Sequence, residues 1–426
     1  VGVNNNAETS AAATATCTIN KVIPVPGSAT MKYKKVTSMD DIVDGGVYLL
    51  ACPSKNVIMS DKATGKSYTA CATYIFSGNE DLITDIKNLN VSGGPCEITL
   101  EKVADKANTY YIRYANGGQY LYNTSDTSLA FGDEITTVES NLKQYQWTIS
   151  ITSHEVKDGV PVDAINIQNN KNNTRSLDYS YSNPRYAAYV YNKSQNAPSF
   201  LYKKTFDLSV NANTAGYATA YTAFPYVMPA SADGYIVTET AEGATIKAKQ
   251  KYPAGAEVPA NAPLLIKNAE AGVTLNPVVL GKTVEAYPYA DENLLHGTRL
   301  ESDGVTTDVD GTNNYYYYKL SYKLEAGNPV PDSYGFYRGK ADGSAFVMKN
   351  NLTAYLALPR SSGQVNNLRI SIDNEDGPAT SIQTNRLPAD NMPQSVYTLS
   401  GVRVNAAGGS LPKGIYIVNG KKVVIK

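Results

Sequence analysis

The chain alternates apolar and polar residues over short runs that end in turn residues, which is the pattern of β-strands. Three phrases between Tyr33 and Lys204 share one order of elements: a strand, a turn rich in Asn, Gly or Lys, and a second short apolar strand. They are "YLLACPSKNVIMS" from Tyr48, "YIRYANGGQYLYN" from Tyr111 and "INIQNNKNNTRSLDY" from Ile165. The phrases recur about 55 to 65 residues apart, and such a period indicates one supersecondary unit used several times.

Three units of this kind predict a β-trefoil-like module over residues 31–204, and a two-sheet sandwich is the alternative architecture. The strand Trp147-Thr148-Ile149 leads into the third unit. Helix signals are nearly absent in this region. The exception is "SMDDIV" from Ser38, where a serine cap precedes acidic residues and predicts one short helical turn.

The rest of the chain divides into a second module, linkers and a tail. Residues 205–373 alternate strands with proline-marked loops, as in "VPANAPLLIK", and predict a second antiparallel β module. Within it, successive side chains from Tyr315 to Tyr318 must face opposite ways. Residues 374–393 form a polar, Pro-containing linker, and residues 1–30, rich in Ala, Thr and Asn, are a leader or linker.

The last segment, residues 394–426, contains a well-formed hairpin signal. Gly414–Val418 and Lys422–Ile425 are apolar-rich strands, and Asn419-Gly420 between them is the strongest short-range hairpin signal a sequence offers. We expect the segment to form a small C-terminal β-sandwich. The fold class predicted for the whole chain is all-β.

Composition limits the classes of function. The 426 residues are 42% hydrophobic, and at about 100 to 200 residues per domain they should form two to four cores. The 38 basic and 39 acidic residues nearly cancel without long blocks of one sign, so we expect no nucleic-acid partner. No apolar run reaches the ~18 residues of a membrane-spanning helix. The first residues lack the features of a signal peptide, so either an export signal has been removed or the chain is a fragment.

Tyrosine dominates the aromatic residues, with 33 Tyr against 7 Phe and 1 Trp. In "SLDYSYSNPRYAAYVYNKSQNAPSFLYKK" the rings crowd beside amides and an arginine. A sugar-binding site uses these groups, because CH groups stack on rings while hydroxyls bond amides and guanidinium. The predicted ligand-binding residues are Tyr179, Tyr181, Arg185, Tyr186 and Tyr189. The competing interpretation is that alternate tyrosines pack the barrel.

The chain shows no convergent set of acid, base and nucleophile, so we expect no enzyme, no metal and no cofactor. His154 and His296 fall in loop-like contexts of different modules and are interpreted as surface histidines without catalytic partners. "TDVDGTNN" from Thr307 favours an Asp-Gly turn over a calcium loop, because the twelfth position from Asp308 is Lys319 and not Glu.

The cysteines do not indicate a zinc site, because none of the four lies in a Cys-x-x-Cys pair. They are Cys17, Cys52, Cys71 and Cys96. An even number in an exported protein allows one or two disulfides, and the sequence leaves both the pairing and free buried thiols open.

The tail "SVYTLSGVRVNAAGGSLPKGIYIVNGKKVVIK" resembles the C-terminal sorting domain of secreted Bacteroidota proteins. That family has Leu-x-Gly-x-x-Val, a variable loop, Lys-Gly-x-Tyr-x-Val and a final basic and apolar strand. The matching residues are Leu399, Gly401, Val404, Lys413, Gly414, Tyr416 and Val418, followed by Lys421 and Lys422. The resemblance implies export by the type IX route, with the secretion machinery as a partner and an extracellular or outer-membrane surface location. In many relatives the tail is then removed.

The other modules resemble accessory domains of extracellular Bacteroidota proteins. "YKKVTSMDDIVDGGVYLL", with "RYAAY" and "FLYKK" much later, resembles a module attached to secreted nucleases and other surface proteins. "GYATAYTAFPYVMPASADGYIVT", with "VPANAPLLIK" and "TAYLALP", resembles a β domain that often precedes such a tail. Neither resemblance carries catalytic residues onto this chain.

These observations predict a non-catalytic, exported cell-surface protein for attachment or ligand binding, with glycan as the preferred ligand. One alternative is the accessory C-terminal region of a larger secreted hydrolase, such as a nuclease. Another is a building block of a surface layer or filament, in which strand edges pair with neighbouring copies.

Overall fold

A computed structural model shows that the described residues fold into mostly antiparallel β-sheets with few helical residues, and the predicted all-β class is confirmed. The structure describes residues 31–63, 69–73, 81–83, 97–114, 118–193, 195–241, 244–297, 315–338, 352–360, 367–373, 396–398, 403–404, 414–418 and 421–425. Two compact units divide the chain, Val1–Asp373 and Asn374–Lys426.

The first part of the larger unit contains fifteen of the described strands. They are β1 (Lys32–Lys35), β2 (Gly46–Cys52), β3 (Val57–Ala63), β4 (Thr69–Thr73), β5 (Leu82–Ile83), β6 (Ile98–Lys102), β7 (Thr109–Tyr114), β8 (Tyr120–Ser125), β9 (Ser128–Gly132), β10 (Gln146–His154), β11 (Val162–Asn169), β12 (Arg175–Ser180), β13 (Tyr186–Val190), β14 (Asn196–Ala197) and β15 (Phe200–Thr205). The helix α1 (Glu139–Leu142) and the 3₁₀ turns Met39–Asp41 and Pro53–Lys55 lie between them.

Six strands of this part form a ring. Antiparallel pairing runs from β15 to β2, β6, β7, β10 and β11. The backbone N–H of Ile165 in β11 donates to the carbonyl of Ser199, next to β15, at 3.0 Å and closes the circle. A hairpin follows each of β2, β7 and β11, formed by β3–β4, β8–β9 and β12–β13. A ring strand, a hairpin and a second ring strand, used three times, make a β-trefoil, and the sandwich alternative is excluded.

The three repeated phrases supply the core of the ring. Tyr48 and Leu50 from the first phrase are fully buried with Ile112 from the second and Ile167 from the third. Trp147 is also fully buried, and its indole N–H donates to the carbonyl of Leu121 at 3.1 Å. Because successive side chains of a strand point to opposite faces, one face of every ring strand fills the interior.

The predicted helical turn after Ser38 is present. Ser38 caps the 3₁₀ turn Met39–Asp41, accepting from the backbone N–H of Asp40 at 3.2 Å. The Tyr48 hydroxyl then fixes this turn to the ring, because it accepts from the N–H of Val43 at 2.8 Å and lies 3.1 Å from the carbonyl of Asp41.

The second part of the larger unit is also built of strands, with a 3₁₀ turn at Ala212–Thr214. The strands are β16 (Leu208–Ser209), β17 (Tyr217–Ala220), β18 (Tyr226–Val227), β19 (Ala232–Ala241), β20 (Thr245–Tyr252), β21 (Glu257–Val258), β22 (Leu264–Asn268), β23 (Thr274–Leu275), β24 (Val278–Val279), β25 (Leu295–Gly297), β26 (Tyr315–Ser321), β27 (Leu324–Glu325), β28 (Asn328–Pro329), β29 (Gly335–Arg338), β30 (Ala354–Pro359) and β31 (Asn367–Asp373).

Nine of these strands form one sheet in the order β17-β22-β19-β20-β31-β29-β26-β30-β25, with β20 and β31 parallel. Successive residues of β22 belong to two different cores. Leu264 lies in a cluster with Phe206 and Tyr226, whereas Leu265 lies in a cluster with Phe336. The run of four tyrosines in β26 behaves in the same way. Tyr315 and Tyr317 belong to one cluster, and Tyr316 and Tyr318 belong to another, as the alternation predicts.

The second part is joined to the trefoil through strand pairing and ion pairs. Thr205, the last residue of β15, pairs with Val278, so the predicted boundary between residues 204 and 205 falls at a strand that both parts share. The Lys282 ammonium lies 2.7 Å from Asp44 in the trefoil and 2.6 Å from Glu257 in the second part. Both parts therefore belong to one compact unit.

The smaller unit contains β32 (Val396–Thr398), β33 (Arg403–Val404), β34 (Gly414–Val418) and β35 (Lys421–Ile425) in one antiparallel sheet, ordered β33-β32-β34-β35. The predicted hairpin is present, and its second strand begins at Lys421, one residue before the predicted start. None of the helices described in either unit has the length and apolar character that crossing a membrane requires.

We predict that Tyr48→Phe lowers the free energy of unfolding by about 1 to 3 kcal/mol, because the N–H of Val43 loses its acceptor. Urea unfolding followed by Trp147 fluorescence measures this directly, since the chain has 1 Trp and its indole is buried. The matched control is Tyr111→Phe. Tyr111 is half-buried and its hydroxyl accepts a long bond, 3.4 Å from Gln146 Nε2, so removal of the hydroxyl should change stability by less than about 0.5 kcal/mol. Equal effects of the two variants would contradict the assignment.

Candidate functional site

The hairpin β12–β13, which carries the predicted ligand-binding residues, has two different faces. Tyr179 and Tyr186 lie opposite each other on the face toward the core. Their rings meet edge to face with centroids 5.5 Å apart, and the hydroxyl of Tyr186 is 3.2 Å from that of Ser199. Only 4% of Tyr179 and 0% of Tyr186 is exposed, so these two rings pack the trefoil and offer no face to a ligand from solution.

Tyr181 follows on the same side of the hairpin, where the strand has ended. Its half-buried ring packs against the edge of the core, and the ammonium of Lys55 lies 4.8 Å from the ring centroid. The 3₁₀ turn Pro53–Lys55 between β2 and β3 positions this lysine. Tyr181 is therefore part of the protein surface, with a cation over its ring.

The opposite face of the hairpin carries the other two predicted residues. Alternation along β13 and the residue before it places Arg185 and Tyr189 on one side, and the strand register sets Tyr189 opposite Ser176. Arg185 Nε donates to the Tyr189 hydroxyl at 3.1 Å, and both side chains are half-buried. The structure thus brings together Arg185 and Tyr189 on the outer face and separates them from the buried pair Tyr179 and Tyr186.

Between Arg185 and Tyr189, the outer face of the hairpin contains a buried acid that the sequence analysis did not identify. Asp178 lies opposite Ala187, and 1% of it is exposed. Its Oδ2 is 3.2 Å from Nε2 of His154, which is fully buried. The interpretation of His154 as a surface histidine in a loop is wrong, because His154 ends strand β10 and has an acidic partner.

The hydrogen bonds of His154 require a proton between its imidazole and the carboxyl group of Asp178. Nδ1 lies 2.6 Å from the carbonyl of Glu155, which can only accept, so Nδ1 carries hydrogen. Nε2 then either donates to ionised Asp178 or accepts from protonated Asp178. The proton at this contact is therefore held by the pair in either form.

The surroundings of the pair favour retention of this proton. Burial opposes charge on the imidazole, but the hydrogen bond and negative charge of Asp178 outweigh it and raise the pKa of His154 above the ordinary histidine value. The ring of Tyr191 covers His154 edge to face, with centroids 5.1 Å apart, and its hydroxyl lies 3.1 Å from Thr152 Oγ1. The pair is thus shielded from water by an aromatic ring held to β10.

Cys52 lies near this pair at the end of β2, but its chemistry is that of a buried thiol. Its sulfur is 3.5 Å from Ser54 Oγ, and burial raises the pKa of the thiol to about 11. Both nitrogens of His154 are engaged, by Glu155 and Asp178. A thiol without a free base beside it is a poor nucleophile at neutral pH.

The second histidine is also part of a strand. His296 lies in β25, where its ring stacks on Tyr355 with centroids 5.8 Å apart. Burial lowers its pKa, so the neutral form is favoured. The prediction of a loop-like context is wrong here as well.

Several other predicted features lie partly outside the described residues. Leu399, Gly401 and Lys413 of the sorting signal lie outside them, as do Cys17, Cys96 and the Asp-Gly turn after Thr307. The sorting residues Gly414, Tyr416 and Val418 lie in β34, and Lys421 and Lys422 lie in β35. Cys71 lies in β4, and Cys52 is a free thiol. Within the described ranges, no cluster of three His, Cys, Asp or Glu side chains could hold a metal ion.

No protein-family model matches this chain, and no curated protein matches it at a significant level.

We predict that the free energy of unfolding falls as the pH rises above about 6.5, the pKa of histidine in an unfolded chain. Since the folded pKa of His154 is raised, its contribution is complete below that value and is lost as the pH rises through the folded pKa. The slope between the two pKa values should approach about 1.4 kcal/mol per pH unit. Urea titrations between about pH 5.5 and pH 9 measure it.

His154→Gln should flatten this slope, because glutamine has no ionisable proton. The control is His296→Gln. Its pKa is lowered in the folded state, so its contribution is lost as the pH falls and the slope above pH 6.5 should persist. A slope that survives His154→Gln would show that other groups cause it.

Proposed function

We propose that the trefoil is the ligand-binding module of a non-catalytic surface protein, and that its ligand is a glycan bound at the outer face of hairpin β12–β13. The observation that supports this most directly is the contact between Arg185 Nε and the Tyr189 hydroxyl, 3.1 Å long, because both side chains are partly exposed. The contact fixes an aromatic ring and a guanidinium side by side.

This pair matches the chemistry of a sugar. The CH groups of a pyranose stack on an aromatic ring, and guanidinium and phenol groups form hydrogen bonds with its hydroxyls. Arginine suits this role because its planar fork has several donors in fixed directions.

The buried residues of the hairpin hold its outer face in position. Tyr179 and Tyr186 anchor β12 and β13 to the core, which limits the motion of Arg185 and Tyr189. A rigid aromatic group loses little conformational entropy when it binds, so a binding site on an anchored hairpin needs few contacts. The ligand-binding set proposed from the structure is therefore Arg185 and Tyr189.

We predict that Tyr189→Ala and Arg185→Ala each weaken glycan binding at least about tenfold, the effect of losing one good stacking or charged hydrogen-bonding group. A glycan array screened with the full chain identifies the ligand, and calorimetry then measures the variants. Tyr111→Ala, which removes a half-buried tyrosine from a ring strand of another repeat, is the matched control. An array with no bound glycan would refute the ligand class, and unchanged binding by both variants would refute the site.

For the C-terminal unit we propose the role that its resemblance implies, a sorting signal for export to the cell surface. Its support is a regular hairpin in which Gly414 pairs with Ile425 and Val418 pairs with Lys421. In the described part of the sheet, β35 pairs only with β34, so the backbone groups along its other side could pair with a receptor strand.

We predict that residues 394–426 direct a fused fluorescent reporter, carrying an inner-membrane export signal, to the surface of a bacterium with type IX secretion. The same fusion without residues 414–426 loses both strands of the hairpin and should remain in the periplasm. Cell fractionation and surface proteolysis distinguish the two locations. Surface display of both fusions, or of neither, would contradict this role.

A further inference from the structure

We propose that His154 and Asp178 are positioning residues for the ligand-binding face, and that the proton they share holds hairpin β12–β13 in its binding geometry. The inference rests on the proposed function, because it concerns the regulation of the same site. Neither side chain is expected to touch the ligand, since both are buried.

The position of Asp178 connects it to the ligand-binding residues. It lies on the outer face of β12, directly opposite Ala187, which is between Arg185 and Tyr189 in the alternation of β13. A shift of Asp178 therefore moves the part of the hairpin that carries both groups.

His154 belongs to a different element and is fixed independently of the hairpin. It ends β10, which is paired with β11 from Trp147↔Asn169 to His154↔Val162. The contact between His154 and Asp178 therefore connects the outer face of the hairpin to the rigid ring. Tyr191, just after β13, extends the connection through its contacts with His154 and Thr152.

Whether His154 and Asp178 attract or repel each other depends on this proton. With it, an N–H···O or O–H···N bond joins the two side chains. Without it, the lone pair of Nε2 faces a carboxylate oxygen 3.2 Å away in a site without water access, since Nδ1 keeps its hydrogen for Glu155. Asp178 keeps the backbone N–H of Tyr179, 3.1 Å from Oδ1, and a hydrogen bond from the Asn196 side chain. Its Oδ2 nevertheless loses the His154 donor, and opening the hairpin toward water provides another.

Five other titratable groups surround the pair. They are Cys52 from β2, Tyr181 after β12, Tyr191 after β13, Asp163 from β11 and Glu155 after β10. Burial raises the pKa of Cys52 to about 11 and raises the pKa of both tyrosines. Glu155 and Asp163 are exposed, and Glu155 meets the imidazole through its backbone carbonyl.

Hydrogen exchange of the full chain, followed by mass spectrometry between about pH 6 and pH 9, tests the proposal without a ligand. Protection is corrected for the intrinsic exchange rate and compared between peptides covering β12–β13 and β8–β9, the corresponding hairpin of the second repeat. We expect the protection of β12–β13, relative to β8–β9, to fall by up to about tenfold per pH unit above the pKa of the pair.

The matched variant combines His154→Gln with Asp178→Asn, which keeps an amide hydrogen bond at the contact but no ionisable proton. Its relative protection should not change with pH. Asp178→Asn alone is the second variant, because its amide can donate to the neutral imidazole; buried Trp147 emission verifies that each variant is folded. A constant ratio in the unmodified chain, or the same decline in both variants, would overturn the proposal.

The glycan array, repeated at about pH 6 and pH 9, connects the pair to binding. We expect signals of the unmodified chain to fall about tenfold or more at the higher pH, while those of the double variant stay constant. Glycan binding that stays constant with pH, although the protection of β12–β13 falls, would overturn the positioning role. An array empty at every pH would refute the glycan as ligand, and the exchange result would still decide whether the proton holds the hairpin.

Discussion

The closed ring of six strands is the constraint on which the rest of the larger unit depends. Each ring strand needs a neighbour on both sides, because a buried backbone N–H or C=O without a partner costs about 1 to 3 kcal/mol. Closure requires β15 to pair with β2, more than a hundred residues earlier, with Phe200 opposite Ala51. Once this pair forms, the three repeats lie around one axis and their hairpins meet, as the pairing of Tyr186 with Thr69 shows.

Closure also decides which face of each hairpin is available for function. In β12–β13 the inner face must fill the end of the ring, so Leu177, Tyr179 and Tyr186 are buried there. On the outer face Ser176, Asp178 and Ala187 are buried as well, and Arg185 and Tyr189 are half-buried. Asp178 is buried there beside the end of β10, where His154 contacts it and the ring of Tyr191 packs against His154.

Much of this architecture is visible in the sequence, and the reason is local. A strand, a turn and a strand are specified by neighbouring residues, so the three phrases predict the trefoil and Ser38 predicts its helical turn. The alternation of Tyr315 to Tyr318 is equally local. The division of the hairpin β12–β13 into a core face and an outer face depends less on neighbouring residues. Alternation sorts its residues into two sets, but only the register of β12 with β13 and with the ring shows which set is buried.

The contact between His154 and Asp178 is a feature that neighbouring residues do not specify. The two residues are 24 positions apart, in strands that do not pair with each other, so no spacing rule relates them. Locally the sequence shows only an aspartate in the mixed strand "RSLDYS", and the structure shows that this strand is buried, where an acid without a partner would be costly. A buried acid needs a partner that carries the opposite charge or shares its proton, and the candidates include the 2 His of the chain. A proton shared between strand ends is therefore a consequence of ring closure: the fold brings the acid to the imidazole, and the proton makes their burial tolerable.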